Sequence, residues 1–311
     1  MRRRRRQYGY GSVPSTSYAA PVQPSSAPAY IPPQAKKHIV HFSWGEYIEE
    51  AEKQTPGRSR TSRNADANQY WDLGCGFDNA IKMAREGWDE GEQFTKRYSA
   101  GLFESLSTVV EREYPVYDVE GTEIDIARFM DGEPECWQRM ETRVTEGTGR
   151  KLIRIVLNMA TSGGVSGATM LAKGAAIAAL AELLEFAGHG VQIDLVDGTS
   201  AGGMLHIETW IRIKDFDQPI DLPRVAFALA HPATQRRLWF AMAENFPADI
   251  YQAVVADQSY GRPADINEQD RGDVYIGRSM YPAIEWSNEG IAQQWVLEQL
   301  RRQGVVLKEQ E

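Results

Sequence analysis

The chain has 311 residues, of which 42% are hydrophobic and 25% are charged, and its formal net charge is −9. These values are typical of a globular protein with one large domain or two ordinary ones. No apolar run approaches the roughly 20 residues of a membrane helix, so we expect no membrane span. The two cysteines, Cys75 and Cys136, lack metal-type spacing and predict reduced thiols in a cytosolic compartment.

Residues 1–35 form a distinct segment that is rich in proline, serine and tyrosine. This composition cannot bury enough apolar surface to offset the entropy of ordering, so the segment is predicted to be a disordered arm. The first 45 residues carry a charge of +7, whereas the remainder carries −16. Five consecutive arginines have no role in a core and predict binding to nucleic acid or another polyanion. They are Arg2, Arg3, Arg4, Arg5 and Arg6.

A membrane surface or an acidic protein partner stays open as an alternative target of the arm. A second arginine cluster lies in a polar loop at positions 58–63. Arg58, Arg60 and Arg63 are predicted to extend the nucleic-acid-binding surface of the arm.

Residues 36–150 are predicted to be a mainly helical N-terminal region. A short strand precedes a helix with a capping box formed by Ser43 and Glu46. A second helix begins near Asp78 and stops at Gly87, and a third covers residues 91–112. Residues 115–150 indicate a strand, a short helix or strand near Glu123, and an acidic turn.

Residues 151–311 are predicted to form an α/β domain with a doubly wound, Rossmann-like sheet, because strands and helices alternate along them. The predicted strands are 152–157, 191–196, 205–213 and 273–277. The predicted helices are 168–187, 221–245 with a break at Pro232, and 288–303. A short strand is also possible in the closing GVVL sequence.

The loop at residues 158–167 follows the first of these strands and precedes the Ala-rich helix. Ligands of open α/β sheets bind at this position, close to helix N-termini. The loop lacks the Gly-Lys-Ser/Thr of a phosphate-binding Walker loop and the glycine spacing of a dinucleotide fingerprint. Its hydroxyls and backbone amides suit an anion or a metal ion.

The strand, loop and helix resemble the von Willebrand factor A-like domain over about residues 151–303. That family carries an Asp-x-Ser-x-Ser metal motif, which falls here on Asn158, Ala160 and Ser162. The resemblance implies a scaffold for macromolecular interaction whose ion site is degenerate, because Mg²⁺ prefers carboxylate oxygens. No cofactor is therefore expected, although weak Mg²⁺ binding stays open.

Two further stretches resemble an uncharacterised group of phage and prophage proteins. They are AREGWDEG at 84–91 and IKDFDQPIDLPRVAFALAHPATQRRLWF at 213–240. The resemblance implies a phage-encoded protein of unassigned activity, located in the cytoplasm of a bacterial host or in the virion.

Aromatic and histidine residues give two additional candidate sites. The Trp/Gly-rich stretch 71–91 is either a ligand loop or a turn and helix stop packed on the core. His231 lies near Arg236 and Arg237, where it either contacts an anion or marks a helix boundary. The structural interpretation is favoured for both.

Aspartates are numerous near the predicted strand ends, at positions 194, 197, 215, 217 and 221. Asp215, Asp217 and Asp221 either form an acidic metal pocket or are solvated turn residues with a helix cap at Asp221. The second interpretation is favoured. No zinc signature and no GxSxG nucleophile motif is present, so no catalytic residue is assigned.

The sequence thus favours a phage-encoded, non-enzymatic interaction protein whose basic arm binds nucleic acid or a neighbouring subunit, and association with the virion stays open. Protein partners are also expected. One alternative is a nucleic-acid-processing or protein-primed replication factor, and another is a capsid or tail structural component.

Overall fold

The computed structural model describes residues 36–106, 109–146 and 151–305. The predicted disordered arm and its arginines lie outside the described residues. Within these ranges the fold is α/β, with a six-stranded, mostly parallel sheet flanked by helices. The predicted fold class is therefore confirmed.

Nine strands and twelve α-helices make up the described part of the chain. The strands are β1 Lys36–Ser43, β2 Val109–Asp118, β3 Glu123–Ile124, β4 Trp137–Glu146, β5 Leu152–Asn158, β6 Gly190–Ala201, β7 Leu205–Lys214, β8 Arg262–Pro263 and β9 Val274–Ile276. The helices are α1 Trp44–Glu52, α2 Thr61–Asn64, α3 Gln69–Asp72, α4 Phe77–Glu86, α5 Asp89–Ser99, α6 Leu102–Ser105, α7 Ile126–Met130, α8 Gly167–Phe186, α9 Leu222–Ala230, α10 Phe240–Ala243, α11 Ala248–Tyr251 and α12 Glu289–Arg302.

The large sheet has the strand order β1-β7-β6-β5-β9, and β8 also pairs with β6. The pairs β1–β7, β5–β6 and β5–β9 are parallel, whereas β6 is antiparallel to both β7 and β8. Nearly every residue of β6 is buried, as expected for a central strand.

Most boundaries of β5, α8 and β6 lie within one or two residues of the boundaries predicted from the sequence. Ser166 caps α8, and its side chain accepts a hydrogen bond from the Thr169 amide at 3.2 Å. By length and composition α8 is also apolar enough to cross a membrane, but about two thirds of that stretch is buried inside the protein. Helix α8 therefore acts here as the central core helix.

Two cores lie on opposite faces of the large sheet, because neighbouring strand residues point to opposite sides. The larger core contains Ile153, Ile155 and Leu157 of β5, together with α8 and most other helices. The smaller core contains Val156, Val196, Trp210 and Ile266, with Tyr275 packed against it.

Residues on both sides of the predicted domain boundary at 150 contribute to the larger core, and the described residues belong to one compact unit. Strand β1 lies within the large sheet beside β7. The capping box of α1 is present as predicted, since Ser43 accepts from the Glu46 amide and Glu46 accepts from the Ser43 amide. Asp221 caps α9, also as predicted.

The sequence prediction was partly wrong over residues 91–146. The strand predicted from 115 and the short helix or strand predicted near Glu123 are present as the end of β2 and as β3 and α7, whereas β4 was not predicted. The single helix expected at 91–112 is divided into α5 and α6, because Gly101 adopts a left-handed φ of 75° that ends helical continuity. After α6 the chain forms a separate antiparallel sheet in the order β2-β4-β3. The strands β2 and β4 are rich in Val, Tyr and Thr, which favour extended structure.

Candidate ligand-binding cavity

A cavity of about 540 Å³ opens at the carboxyl end of β5, and we call it the main cavity. Its floor includes Thr161, Ser162 and Gly163 of the loop after β5, and Thr199 of β6. This is the position at which open α/β sheets bind ligands, because strand ends and helix N-termini converge there. The volume lies within the range of small-molecule sites.

The wall opposite this loop is a π-helical segment at Thr234–Trp239 that continues into α10. The wider π-helical turn places Gln235, Arg236, Arg237 and Trp239 on the main cavity, and each is at least 96% buried. Such π-bulges are found frequently at functional sites.

Arg236 is a buried cation whose bonds go to backbone carbonyls. Its guanidinium donates to the Trp71 carbonyl, to the Val165 carbonyl at 2.6 Å and to the Ser162 carbonyl at 3.4 Å. It also stacks 3.8 Å from the centre of the Trp71 ring. Its Nε atom has no hydrogen-bond partner within the described residues. Burial lowers the pKa of Arg236 to about 10, and so it still carries a full charge at neutral pH.

Arg237, the next residue, has a different environment. Its guanidinium pairs with buried Asp72, with Nε 2.9 Å from a carboxylate oxygen, and also donates to the carbonyls of Ser62 and Ala65. The ion pair joins α3 to the π-helical segment. The charge of Arg237 is therefore neutralised within the protein, unlike that of Arg236.

Asp197 on β6 lies behind the cavity floor and is fully buried. Its carboxylate accepts from the Thr199 hydroxyl at 2.6 Å and from Gln235 Nε2 at 3.2 Å. Burial raises the pKa of Asp197 to about 7, although both hydrogen bonds oppose this rise. The Oε1 atom of Gln235 and the Nε1 atom of Trp239 have no partner within the described residues.

The rim of the main cavity contains three consecutive left-handed residues. Ser259, Tyr260 and Gly261 have φ angles of 49°, 73° and 75°. This conformation is strained for a residue as large as tyrosine, and such strain is typical of functional sites. Tyr260 donates its hydroxyl hydrogen to buried Glu244 at 2.6 Å, and its ring is parallel to Phe240 with centroids 4.0 Å apart.

A second cavity of about 20 Å³ lies beside the first, and Thr161 and Gln235 line both. Lys173 of α8 reaches it and donates to the Gly277 carbonyl at 2.8 Å and the Ser279 hydroxyl at 3.0 Å. Burial lowers the pKa of Lys173 to about 7. Lys173 thus connects α8 to the segment after β9, which in turn pairs with the loop at Thr161.

Comparison with protein families gives one match. Residues 9–306 match the model of a family described as a domain of unknown function, DUF7192. The chain belongs to this family. No curated protein and no solved structure matches the chain. The resemblances to von Willebrand factor A-like domains and to phage proteins therefore stay predictions.

The three positions of the degenerate metal motif do not provide a magnesium site. Asn158 is fully buried, its Nδ2 donates to the Ala264 carbonyl at 2.9 Å, and its Oδ1 accepts from the amides of Ala160 and Gly198. Ala160 has no ligand atom in its side chain, and Ser162 lines the main cavity. Asn158 therefore fixes the end of β5 against β6, and the donor set does not fit a metal ion.

The three arginines of the predicted cluster have different surroundings in the structure. Arg63 donates to the carbonyls of Ala51 and Lys53 and stacks over Phe77, while Arg58 stacks 3.9 Å from the centre of the Tyr251 ring. Arg60 is exposed. Only Arg60 of the three thus presents its side chain freely to a polyanion, and nucleic-acid binding by this cluster stays a prediction.

The aspartates at the strand ends are dispersed. Asp194 pairs with Arg154 at 2.7 Å and with Arg212, and Asp221 caps α9. In the part of the chain that the structure describes, no group of three or more histidine, cysteine, aspartate or glutamate residues is placed to hold a metal ion.

Sequence reasoning identified parts of the main cavity but not its assembly. Ser162 and the stretch containing Trp71 were candidates. His231 was the candidate for an anion contact, but Arg236, which was named only as its neighbour, is the residue that lines the main cavity. Trp239 and Tyr260 were missed. The positive φ of Tyr260 had a weak signal in the Asp-Gln-Ser-Tyr-Gly sequence at 257–261, since Ser and Gly favour turns.

Proposed function

We propose that this chain binds a small anionic ligand in the main cavity. The observation that carries the proposal is the environment of Arg236, a residue that is 1% exposed and whose guanidinium donates only to carbonyls within the described residues. A buried charge without a counter-ion is costly, whereas a bound anion would neutralise it.

The surroundings of Arg236 support an anion rather than a cation. The neighbouring loop at Ser162–Gly163 precedes a 20-residue helix, whose N-terminus carries partial positive charge. Arg262 lies at the cavity rim with its side chain exposed. Behind the floor, Asp197 has a raised pKa and accepts hydrogen bonds from Thr199 and Gln235. Asp72, whose negative charge opposes the lowering of the Arg236 pKa, forms its ion pair with Arg237.

The direct test is titration calorimetry of the full chain with inorganic phosphate, sulfate and acetate at constant ionic strength. We expect saturable binding of at least one anion, and at least a tenfold loss of affinity in Arg236→Met, as for loss of a charge-assisted contact. Arg302→Gln is the matched control, because Arg302 pairs with Glu298 on α12 and lies outside the cavity wall.

Arg236 also holds the loop after β5, so its variant requires a check of folding by circular dichroism. Arg262→Gln provides a second test, since its side chain is exposed and its loss leaves the core intact. We expect Arg262→Gln to weaken anion binding several-fold. Absence of saturable binding by the unmodified chain would reject the proposed function.

A second candidate function is the nucleic-acid-binding role of the arm, which the charge division between the first 45 residues and the remainder favours. Mobility-shift assays with DNA and RNA would compare the full chain with a chain lacking residues 1–35. We expect retardation by the full chain alone, with a steep salt dependence, because bound phosphates release counterions. Equal mobility for both proteins at every salt concentration would eliminate this candidate.

The broader proposal of a phage-encoded interaction protein in the host cytoplasm or virion rests on the sequence resemblances, the degenerate metal motif and the charge division. A replication factor and a capsid or tail component stay as its alternatives.

A further inference from the structure

The main cavity combines a cation with an aromatic wall. Phe240 and Tyr260 form a parallel stack with centroids 4.0 Å apart, and Trp71 and Trp239 pack against Phe240 at 6.4 Å and 5.9 Å. All four side chains line the cavity, as does Arg236. A planar heterocycle stacks favourably on such a wall, whereas an inorganic anion has no face to stack on it.

The buried polar atoms of the cavity wall add a second requirement. Gln235 Oε1 is an acceptor without a donor, and Trp239 Nε1 is a donor without an acceptor, within the described residues. Buried polar atoms are nearly always hydrogen-bonded in folded proteins, so unpaired atoms beside a cavity indicate where a ligand or water completes the bonding. Both residues line the main cavity, so a ligand that carries a donor and an acceptor would pair the two atoms.

We infer that the ligand of the main cavity is a single nucleotide, a nitrogen heterocycle joined to a phosphate. The phosphate would lie against Arg236 and the loop at Ser162–Gly163, and the base would lie on the wall formed by Phe240 and Tyr260. Base edges carry adjacent donors and acceptors, which match Gln235 Oε1 and Trp239 Nε1. This inference rests on the proposed function, because it requires the anion site at Arg236.

A free nucleotide and the terminal nucleotide of a strand share this chemistry. The experiment therefore uses calorimetry with the four nucleoside 5′-monophosphates, the four nucleosides, inorganic phosphate, and a short single-stranded oligonucleotide with or without a 5′-phosphate. We expect at least one nucleoside monophosphate to bind tenfold or more tightly than inorganic phosphate and than its own nucleoside. Tighter binding of the phosphorylated oligonucleotide than of the monophosphate would assign the site to strand ends, and weaker binding would assign it to free nucleotides.

Trp239→Phe tests the contact with the base, since it retains an aromatic ring and removes the Nε1 donor. We expect it to weaken nucleotide binding several-fold and to leave the affinity for inorganic phosphate unchanged. Trp44→Phe is the matched control, because Trp44 Nε1 donates to the Ala84 carbonyl at 2.8 Å and lies outside the cavity wall. This control is expected to change neither affinity.

The outcomes separate the two proposals. Phosphate binding without any tighter nucleotide binding would overturn the nucleotide inference and leave the anion site intact. Failure of phosphate, sulfate, acetate and every nucleotide to bind would overturn both. Equal loss of phosphate and nucleotide affinity in Trp239→Phe would overturn the assignment of the base to this wall.

Discussion

Two adjacent arginines have opposite roles in this molecule. Both line the main cavity, but Arg237 is neutralised by Asp72, whereas Arg236 is bonded to carbonyls. The π-helical segment makes this possible, because its wider turn directs consecutive side chains to different surroundings. A sequence shows both as charged residues in a helix and gives no basis for distinguishing them.

The first prediction concerns the buried ion pair. Asp72→Ala removes the counter-ion of Arg237 and the acceptor of three backbone amides, and we expect a loss of about 3–5 kcal/mol in the free energy of unfolding. Urea denaturation measures this loss. Glu52→Ala is the control, because its pair with Arg85 is partly exposed and contributes at most about 1 kcal/mol. Equal losses in the two variants would contradict the structural role of Asp72.

The second prediction concerns pH. The folded-state pKa of Asp197 is raised to about 7, above its ordinary value of 3.8, so between these values the folded protein holds a proton that the unfolded chain has released. The contribution of Asp197 to stability is therefore greatest at low pH and falls as the pH rises to about 7. Asp197→Asn removes this contribution.

Urea denaturation of both proteins between about pH 4 and about pH 8 measures the effect. We expect the unfolding free energy of the unmodified chain to fall relative to that of Asp197→Asn across this window, and the difference to become constant above it. His231, whose pKa is lowered to about 4, is common to both proteins and cancels from the comparison. A pH-independent difference would show that Asp197 is ionised throughout.

A glycine in α8 allows the backbones of α8 and α9 to approach closely. A Cβ atom on Gly174 would lie 2.1 Å from the Leu229 carbonyl oxygen and 2.2 Å from the Ala230 Cα, both on the backbone of α9. The two helices therefore cross with their backbones in close contact, and neither can move aside without disturbing the sheet beneath.

The third prediction follows from this contact. Glycine within a helix ordinarily costs about 1 kcal/mol relative to alanine, so a surface glycine replaced by alanine gains stability. Gly174→Ala is expected to lose stability instead, because the methyl group meets the backbone of α9. Gly45→Ala on α1 is the matched control with open space around it, and we expect a small gain. Thermal denaturation distinguishes the two, and a gain in Gly174→Ala would disprove the close crossing.

The sequence predicted the elements whose pattern is local. The strand at 152–157, the Ala-rich helix and the capping box of Ser43 depend on neighbours within a few residues, so their signals are strong. Strand β4 was missed, although Arg139, Glu141 and Arg143 occupy every second position along it, as in a strand. Its pairing with β2 joins residues about 20–40 positions apart and has no local signal. The π-helical segment also has no local signal, because tertiary packing selects it.

On the scale of the whole molecule, the cavity could not be predicted because its walls come from distant parts of the chain. Trp71, Ser162, Thr199, Arg236 and Tyr260 meet only after folding. The sequence placed Ser162 at the end of a strand, which gives one wall. The remaining walls depend on how the helices pack together, and this packing is determined by contacts between residues far apart in sequence.

The fourth prediction concerns the small sheet. None of its described side chains belongs to the larger core, whose members come from 36–106 and 151–305. Replacement of residues 109–146 by a Gly/Ser linker of equal length is expected to leave one cooperative unfolding transition and unchanged phosphate affinity, because loop closure costs little extra free energy. Loss of the cooperative transition in calorimetry would show that the small sheet supports the core.

The position of β1 has a consequence for biosynthesis. Lys36 pairs with Leu205 and Ser43 with Arg212, so the first described strand joins the sheet beside one that is translated roughly 170 residues later. A ribosome adds about 5–20 residues per second, so the interval between the synthesis of β1 and that of β7 is on the order of ten seconds. During this interval its edge is available to other chains or to chaperones, and translation of β7 becomes the event that commits the nascent protein to its native sheet.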